Sequence, residues 1–271
     1  MTSRPRVSIV VPSIGATGMA HGEKRTFVTE AVRSVAVGAT GDLPLEIVLV
    51  AGRDMPPSVP EEVLAAASSG TTPVAVQVVD DRRPFNFSAA VNLGAAHARG
   101  EHLLFLNDDT EVLSSCWLHA MLDALGDDHD GRRVGAVGAR LLFEDGTLQH
   151  AGHTYRTSLD HLGVGLPADS PGRNGVLVNR REVAGVTAAC LLTPFAVFDA
   201  VGGFCTGLPG NYNDVDYCMK LRSGGWSVIY EPEAVLYHYE SRSRDADIHP
   251  HEVEFIQRRW ATHLADDPYT P

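Results

Sequence analysis

Lysine is almost missing from this chain. Only Lys24 and Lys220 occur among 271 residues, while arginine is plentiful. The skew reads as genomic composition bias and says nothing about mechanism. Positive charge as a whole is in deficit: 22 Lys and Arg against 34 Asp and Glu give a formal net charge of −12. Such a surface opposes nonspecific attraction to nucleic acid or to an anionic membrane, so no nucleic-acid partner is expected and any chemistry must be local. No apolar run approaches the ~20 residues that cross a bilayer, and Met1 to Arg6 is too short and polar for an export signal. Cys116, Cys190, Cys205 and Cys218 form no CxxC pair and sit in apolar or helical patterns, which points to reduced, structural thiols. The expected setting is the cytoplasm, with the protein free or resting on the cytoplasmic membrane face. The 12 histidines include the pairs His150/His153 and His249/His251, but neither pair has the companion Cys or His spacing of a structural zinc site. No internal repeat is present. With 44% hydrophobic residues over this length, the chain can bury a substantial core as one large α/β domain or two small ones.

The first ~110 residues alternate strand and helix. Val7 to Pro12 reads as a strand, Lys24 to Val37 as a helix with apolar spacing at Phe27, Val28, Ala31 and Val35. Leu45 to Val50, Val74 to Val79 and the run from Glu101 are further strands; Pro60 to Ala67 and Ser88 to Arg99 are helices, the latter stopped by Gly100. Such alternation implies right-handed crossovers and a parallel, doubly wound sheet. The texture changes after Gly131. Val134 to Phe143 reads as a strand, Gly146 to Arg156 as a hairpin arm, and Leu159 to Gly175 as a mobile Gly/Pro/Asp-rich loop. Glu182 to Leu192 reads as another buried strand, Pro194 to Val201 and Asp214 to Arg222 as helices, Val228 to Tyr230 and Ala234 to His238 as strands, and His251 to His263 as a final amphipathic helix.

Three places carry chemistry. In Glu101-His-Leu-Leu-Phe-Leu-Asn-Asp-Asp-Thr-Glu-Val112 a buried strand ends in acids, and ligands of parallel sheets sit outside the carboxyl ends of the strands. Side chains alternate along an extended backbone, so Asn107 and Asp109 share one side and Asp108 faces the other. Carboxylates suit Mg²⁺ or Mn²⁺, and a divalent ion held by few protein groups usually keeps phosphates as its other partners. A polar turn that caps the next helix from Ser114 or Ser115 is the competing explanation. In Asn211-Tyr-Asn-Asp-Val-Asp-Tyr217, residues two apart on a helix point roughly 200° apart, so Asp214 and Asp216 cannot both face one ligand; Asn213 or Asp214 could equally be an N-cap. His238 follows a strand in Leu236-Tyr-His-Tyr-Glu-Ser241 and carries a common metal-binding group.

Taken together, these segments resemble the inverting family 2 glycosyltransferases of GT-A fold, in particular bacterial members that build polysaccharides and decorate natural products. The resemblance rests on Val7 to Pro12, Pro84 to Gly94, Leu104 to Val112, Val186 to Cys190, Val201-Gly-Gly-Phe204, Asn213 to Tyr217 and Tyr237 to Ser241, in that order. It implies a single GT-A domain over residues 1–271: a Rossmann-like nucleotide-sugar-binding half at 1–112, an acceptor-binding half at 113–245, and a C-terminal helix and tail at 246–271. It implies Mg²⁺ or Mn²⁺ on Asp109 and His238, Asn107 or Asp108 near the donor ribose or in the metal shell, Asp214 as general base, and Asp216 orienting the acceptor or bracing its helix. The activity implied is transfer of a hexosyl or deoxyhexosyl group from a nucleoside-diphosphate sugar to a saccharide, lipid-linked or small-molecule acceptor.

One departure matters. Where many relatives end the second strand with Asp-Asp-Gly-Ser or Asp-Asn-Gly-Ser, this chain has Ala51-Gly52-Arg53-Asp54. The aspartate that reads the nucleotide base is missing, leaving Asp54, or backbone groups beside Pro12 and Ile14, to take its place. Arg82, Arg83 and Asn92 are candidate contacts to base or diphosphate. Tyr212 and Trp226 offer aromatic faces to an acceptor sugar. Two rivals are a sugar nucleotidyltransferase and a noncatalytic sugar-nucleotide-binding relative. The first needs a cation-bearing phosphate loop after the first strand, and Ser13 to Gly18 has no cation until Lys24. Intact Asp109, Asp214 and His238 speak against the second.

Overall fold

The computed structural model describes residues 5–39, 42–129, 131–155, 159–240, 249–265 and 267–269. Met1 to Arg4, Arg156, Ser241 and the expected boundary at 245/246 lie outside them. The first half runs β1 (Val7–Ser13), β2 (Thr17–Ala20), β3 (Glu23–Thr26), α1 (Phe27–Gly38), β4 (Leu45–Gly52), α2 (Val59–Ala66), β5 (Ala75–Asp81), α3 (Phe87–His97), β6 (His102–Leu106) and β7 (Thr110–Val112). The second half runs α4 (Trp117–Gly126), β8 (Asp128–His129), β9 (Arg132–Leu142), β10 (Leu148–His150), β11 (His153–Thr154), β12 (Asp160–His161), a 3₁₀ turn at Arg173–Gly175, β13 (Arg181–Glu182), β14 (Cys190–Pro194), α5 (Phe195–Ala200), α6 (Asn213–Ser223), β15 (Ser227–His238) and α7 (Pro250–Ala265).

The main sheet has the order β13-β15-β9-β14-β6-β1-β4-β5. Strands β6, β1, β4 and β5 are parallel, as the β/α alternation requires, and β14 enters antiparallel between β6 and β9. Alternation along β1 explains the layering. Val7, Ile9 and Val11 join a core with Val28, Val32 and Val35 of α1, Val63 of α2 and Met121 of α4; Val10 turns to the other face, to Val91 of α3, Phe198 of α5 and Leu221 of α6. Ser8 also faces that side, where its hydroxyl donates to the buried Glu46 at 2.5 Å, and Arg99 closes on Glu46 through Nε at 2.8 Å.

Helix α3 lies close against the sheet because Gly94 is a glycine. A Cβ there would sit 2.4 Å from Val10 Cγ1 and 2.9 Å from Val50 Cγ2. Gly94→Ala should therefore destabilise the protein by about 1–3 kcal/mol through overpacking, although alanine is the better helix former. Urea unfolding checks this, and unchanged or raised stability would show that α3 can retreat at no cost.

Four expectations are corrected. The segment read as helical from Lys24 begins as a strand, because His21 (φ 50°) and Gly22 (φ 78°) close a two-residue hairpin between β2 and β3. The strand expected over Glu182 to Leu192 is regular only at its ends. Between them the backbone amides of Val186, Thr187 and Ala188 are taken by Cys218 Sγ, His150 Nε2 and Asp214 Oδ2 rather than by a neighbouring strand. The two expected strands 228–230 and 234–238 are one, β15, with a register shift between Glu231 and Val235. The stretch from Leu159 is hydrogen-bonded onto the sheet side, with β12 on β11, Leu162 N–H to Gly152 O and Gly165 N–H to Leu148 O, 2.9 and 2.8 Å.

Candidate active site

One cavity opens at the carboxyl ends of β1 and β6, where the sheet turns from parallel to antiparallel. Its lining includes Pro12, Ser13 and Ile14 from β1 and the turn after it, Asn107 to Asp109, His238, and the segment from Gly210 to Val215. Ligand placement outside the carboxyl ends of strands at such a reversal is the rule for α/β sheets.

Asn107 to Asp109 form the turn between β6 and β7. Asn107 N–H is pinned by Ala189 O at 3.0 Å, which extends the β6–β14 pairing into the site. Asp108 turns to β1: Ser13 Oγ donates to its Oδ2 at 2.6 Å and in turn accepts the Gly15 N–H at 2.9 Å. Asn107 and Asp109 point the other way, to His238. Nε2 of His238 lies 3.1 Å from Asn107 Nδ2 and 3.3 Å from Asp109 Oδ1. Pairing of β7 with β15 puts them there, since His238 stands opposite Thr110 and Tyr239 N–H donates to Asp109 O at 2.9 Å. The other ring nitrogen of His238 is 2.7 Å from Gln149 Oε1, and Gln149 Nε2 donates to the His238 carbonyl at 3.2 Å, so the ring is held at both ends.

A divalent cation fits this pair. Cis ligands bonded at about 2.1 Å stand about 3 Å apart, close to the 3.3 Å between Asp109 Oδ1 and His238 Nε2. One hard oxygen with one imidazole suits Mn²⁺ as well as Mg²⁺. Gln149 escaped sequence reasoning, because a lone Gln in a short strand carries no recognisable signal.

Asp214 lies in the first turn of α6 and lines the same cavity. Its Oδ2 accepts the Ala188 N–H at 3.2 Å and its Oδ1 the Val215 N–H at 2.8 Å. Burial pushes this carboxyl up, but the imidazoles of His153 and His161 and the two N–H groups outweigh burial and hold it below the ordinary aspartate range. At neutral pH the neighbouring rings are themselves uncharged, burial bringing His153 down to about 4. With its carboxyl held low, Asp214 is an anion at neutral pH. Asp216 points away, fully buried, with its Oδ1 2.8 Å from Trp260 Nε1 and 3.2 Å from Arg259 Nη1 of α7.

The N-cap of α6 is neither Asn213 nor Asp214 but Tyr212, in the left-handed region at φ 57° and with no side-chain cap. A non-glycine residue held there costs of order 1–3 kcal/mol and needs support. Glu252 of α7 supplies it: its carboxylate accepts the N–H of Gly210 at 3.0 Å and of Asn211 at 2.8 Å, and α7 thereby shapes the wall that carries Tyr212.

Pro12, Ile14, Asn107, Asp108, Asp109, Tyr212, Asp214 and His238 thus share one cavity. A shallow recess continues past Pro12 and Ile14 to Asp54, with Asp81, Arg83 and Phe85 beside it. Asp54 is exposed and pairs with Arg53 at 3.3 Å. Asp81 was missed by sequence reasoning; it stands opposite Gly52 in the β4–β5 register, beside the position of the absent aspartate, and grips Arg83 through two bonds of 2.7 and 2.8 Å. Three expected contacts lie elsewhere. Arg82 is exposed and bonds Asp80 at 3.0 Å. Both ends of the Asn92 amide are spent on the Phe204 backbone at 2.8 and 2.9 Å, tying α3 to the segment after Gly203. Trp226 packs over Gly135 and Gly224 at the foot of β15, outside the cavity lining.

The family model for glycosyl transferase family 2 matches residues 8–183. The chain is 31% identical over 274 residues to an O-antigen biosynthesis protein RfbC of Myxococcus xanthus, covering 98% of this chain and 20% of that protein. It is 40% identical over 207 residues to the uncharacterized protein y4gI of Sinorhizobium fredii, covering 72% of this chain and 22% of that protein. The chain therefore spans about a fifth of the length of these relatives. Among solved structures it is similar to the mannosyltransferase PcManGT of Pyrobaculum calidifontis in complex with GDP-Man and Mn²⁺, with a TM-score of 0.59, 18% identity, and coverage of 100% of this chain and 67% of that one. It is also similar to GalNAc-T7 with UDP, GalNAc and Mn²⁺, with a TM-score of 0.67, 14% identity, and coverage of 97% and 50%. These likenesses give the fold, a GT-A arrangement built on an α/β sheet, and together with the family match they answer what the chain is: a member of glycosyl transferase family 2.

Proposed function

We propose that the chain moves a sugar from a nucleoside-diphosphate donor to an acceptor hydroxyl in a single, inverting displacement that depends on Mg²⁺ or Mn²⁺. The observation that carries this reading is the convergence, on one cavity, of Asp109 and His238 at 3.3 Å with the ionised carboxylate of Asp214. A bound divalent ion would neutralise charge developing on the departing diphosphate. Asp109 and His238 hold that ion, and Asn107 and Ser13-braced Asp108 line the donor side. Asp214, on a separate element, accepts the proton of the acceptor hydroxyl, while Tyr212 supplies an aromatic face beside it. Donor chemistry falls to residues 1–112 with His238 added, acceptor binding to the rest of 113–245, and α7 braces the acceptor wall through Glu252. The recess bounded by Ile14, Asp54, Asp81 and Arg83 takes the base. The solved relatives hold GDP-Man or UDP with Mn²⁺, and one curated relative belongs to O-antigen biosynthesis, which supports a nucleotide-sugar donor and a polysaccharide or other saccharide acceptor.

Thermal unfolding with UDP, GDP, TDP and CDP, each with and without Mn²⁺, tests the donor side. A nucleotide at 100 times its Kd should stabilise the native state by about 2.7 kcal/mol. At least one should do so, and more strongly with Mn²⁺; no stabilisation by any of the four would count against the reading.

A further inference from the structure

Beside Asp214 stand three imidazoles that the proposed transfer does not use, two of them, His153 and His161, in the lining of the same cavity. His150, His153 and His161 come from β10, β11 and β12, and one ligand atom from each lies within 4.8 Å of the others. The rings of His153 and His161 stack at 5.1 Å, and His150 meets His161 edge-on at 4.5 Å. His150 and His153 lack the spacing of a structural zinc site; the third ring arrives because β12 pairs antiparallel to β11, placing His161 opposite His153.

We propose that His150, His153 and His161 form a second metal site, selective for Zn²⁺-class ions and separate from the Asp109–His238 pair. The donor set is soft for Mg²⁺ or Mn²⁺ and typical for zinc: three imidazoles, with the Asp214 carboxylate oxygen 3.9 Å from His153 Nε2 as a nearby fourth ligand. His153 is already oriented for it. Its Nδ1 lies 3.1 Å from Tyr155 Oη, the outer-shell contact a ligating histidine needs, and Nε2 faces Asp214. His150 Nδ1 is buried with no hydrogen-bond partner among the described residues. A buried polar atom left so destabilises the fold, and a cation bound there would remove that cost. Ligation there moves the ring proton to Nε2 and gives up only the long 3.3 Å contact from Thr187 N–H. Zinc–nitrogen bonds of about 2.0–2.1 Å put tetrahedral ligands about 3.4 Å apart, so the rings must close by about an ångström. On the function proposed above, an ion there would draw Asp214 away from the acceptor and silence transfer; the site itself does not depend on that function.

The test is equilibrium Zn²⁺ binding to the whole chain, metal-stripped and without nucleotide, with Co²⁺ absorption as a report of tetrahedral nitrogen ligation. Wild type should take up one Zn²⁺, and His161→Ala should weaken it at least about 10-fold, within the range seen when a metal's support is removed. Asp109→Asn, which removes the donor-side pair, should leave Zn²⁺ affinity unchanged. Circular dichroism of each variant confirms folding, and His161→Gln serves if the alanine variant does not fold. No Zn²⁺ uptake by wild type, unaltered affinity in the His161 variants, or loss of Zn²⁺ in Asp109→Asn would each overturn the proposal. None of these readings uses sugar transfer, so failure here is distinguishable from failure of the transferase reading.

Discussion

Asp214→Asn should lower turnover by about 10²–10⁴-fold, the usual contribution of a general base, while donor affinity stays within about twofold. The substitution is isosteric. Its carbonyl can keep one of the N–H groups of Ala188 and Val215, which now bond the carboxylate at 3.2 and 2.8 Å, so the start of α6 should hold its shape. What is lost is the site for a proton. The same account fixes a pH dependence. A carboxyl held below its ordinary range stays ionised well above that range, so Asp214 should cause no fall in turnover between about pH 7 and pH 5. Its stability contribution has the same sign, present above the unfolded aspartate pKa of about 3.9 and lost as pH falls through the lower folded value. Single-turnover rates and donor titrations of wild type and variant separate the two effects. Wild-type turnover in Asp214→Asn would end the assignment.

Asp109→Asn should be comparably severe but different in kind. Charge neutralisation at a departing diphosphate is worth several kcal/mol, or about 10³-fold in rate. Removing the negative oxygen from the pair at 3.3 Å leaves only the neutral imidazole of His238 to hold the ion. Donor binding should then lose its response to Mn²⁺, whereas Asp214→Asn keeps it. Calorimetric titration of nucleotide with and without Mn²⁺ reads this directly. A variant whose binding and turnover still respond to Mn²⁺ as wild type does would remove Asp109 from the cation site.

The donor side was legible because its physics is local. A buried parallel strand ending in three polar residues fixes where they emerge, and alternation alone separates Asp108, bonded to Ser13, from Asn107 and Asp109, which meet at His238. The opposite phases of Asp214 and Asp216 on α6 were legible for the same reason: one lines the cavity, the other is buried against Trp260. What escaped depends on contacts distant in sequence. The segment 183–189 is apolar enough to read as strand, yet the amides of Val186, Thr187 and Ala188 within it serve side chains on β10 and α6, and no periodicity reports that. Asn92 carries the chemistry of a ligand contact but is consumed by the Phe204 backbone, and Trp226 is consumed by packing over two glycines. The role of Asp81 follows from its place across the β4–β5 register from Gly52, information held in the pairing of strands.

Single displacement with Asp214 as base is the central claim, and the anomeric configuration of the product tests it most directly. With a donor identified by the nucleotide screen, proton NMR of the newly formed glycoside should show the configuration opposite to that of the donor. A product that keeps the donor's configuration would contradict the account, because one displacement driven by one base cannot retain it.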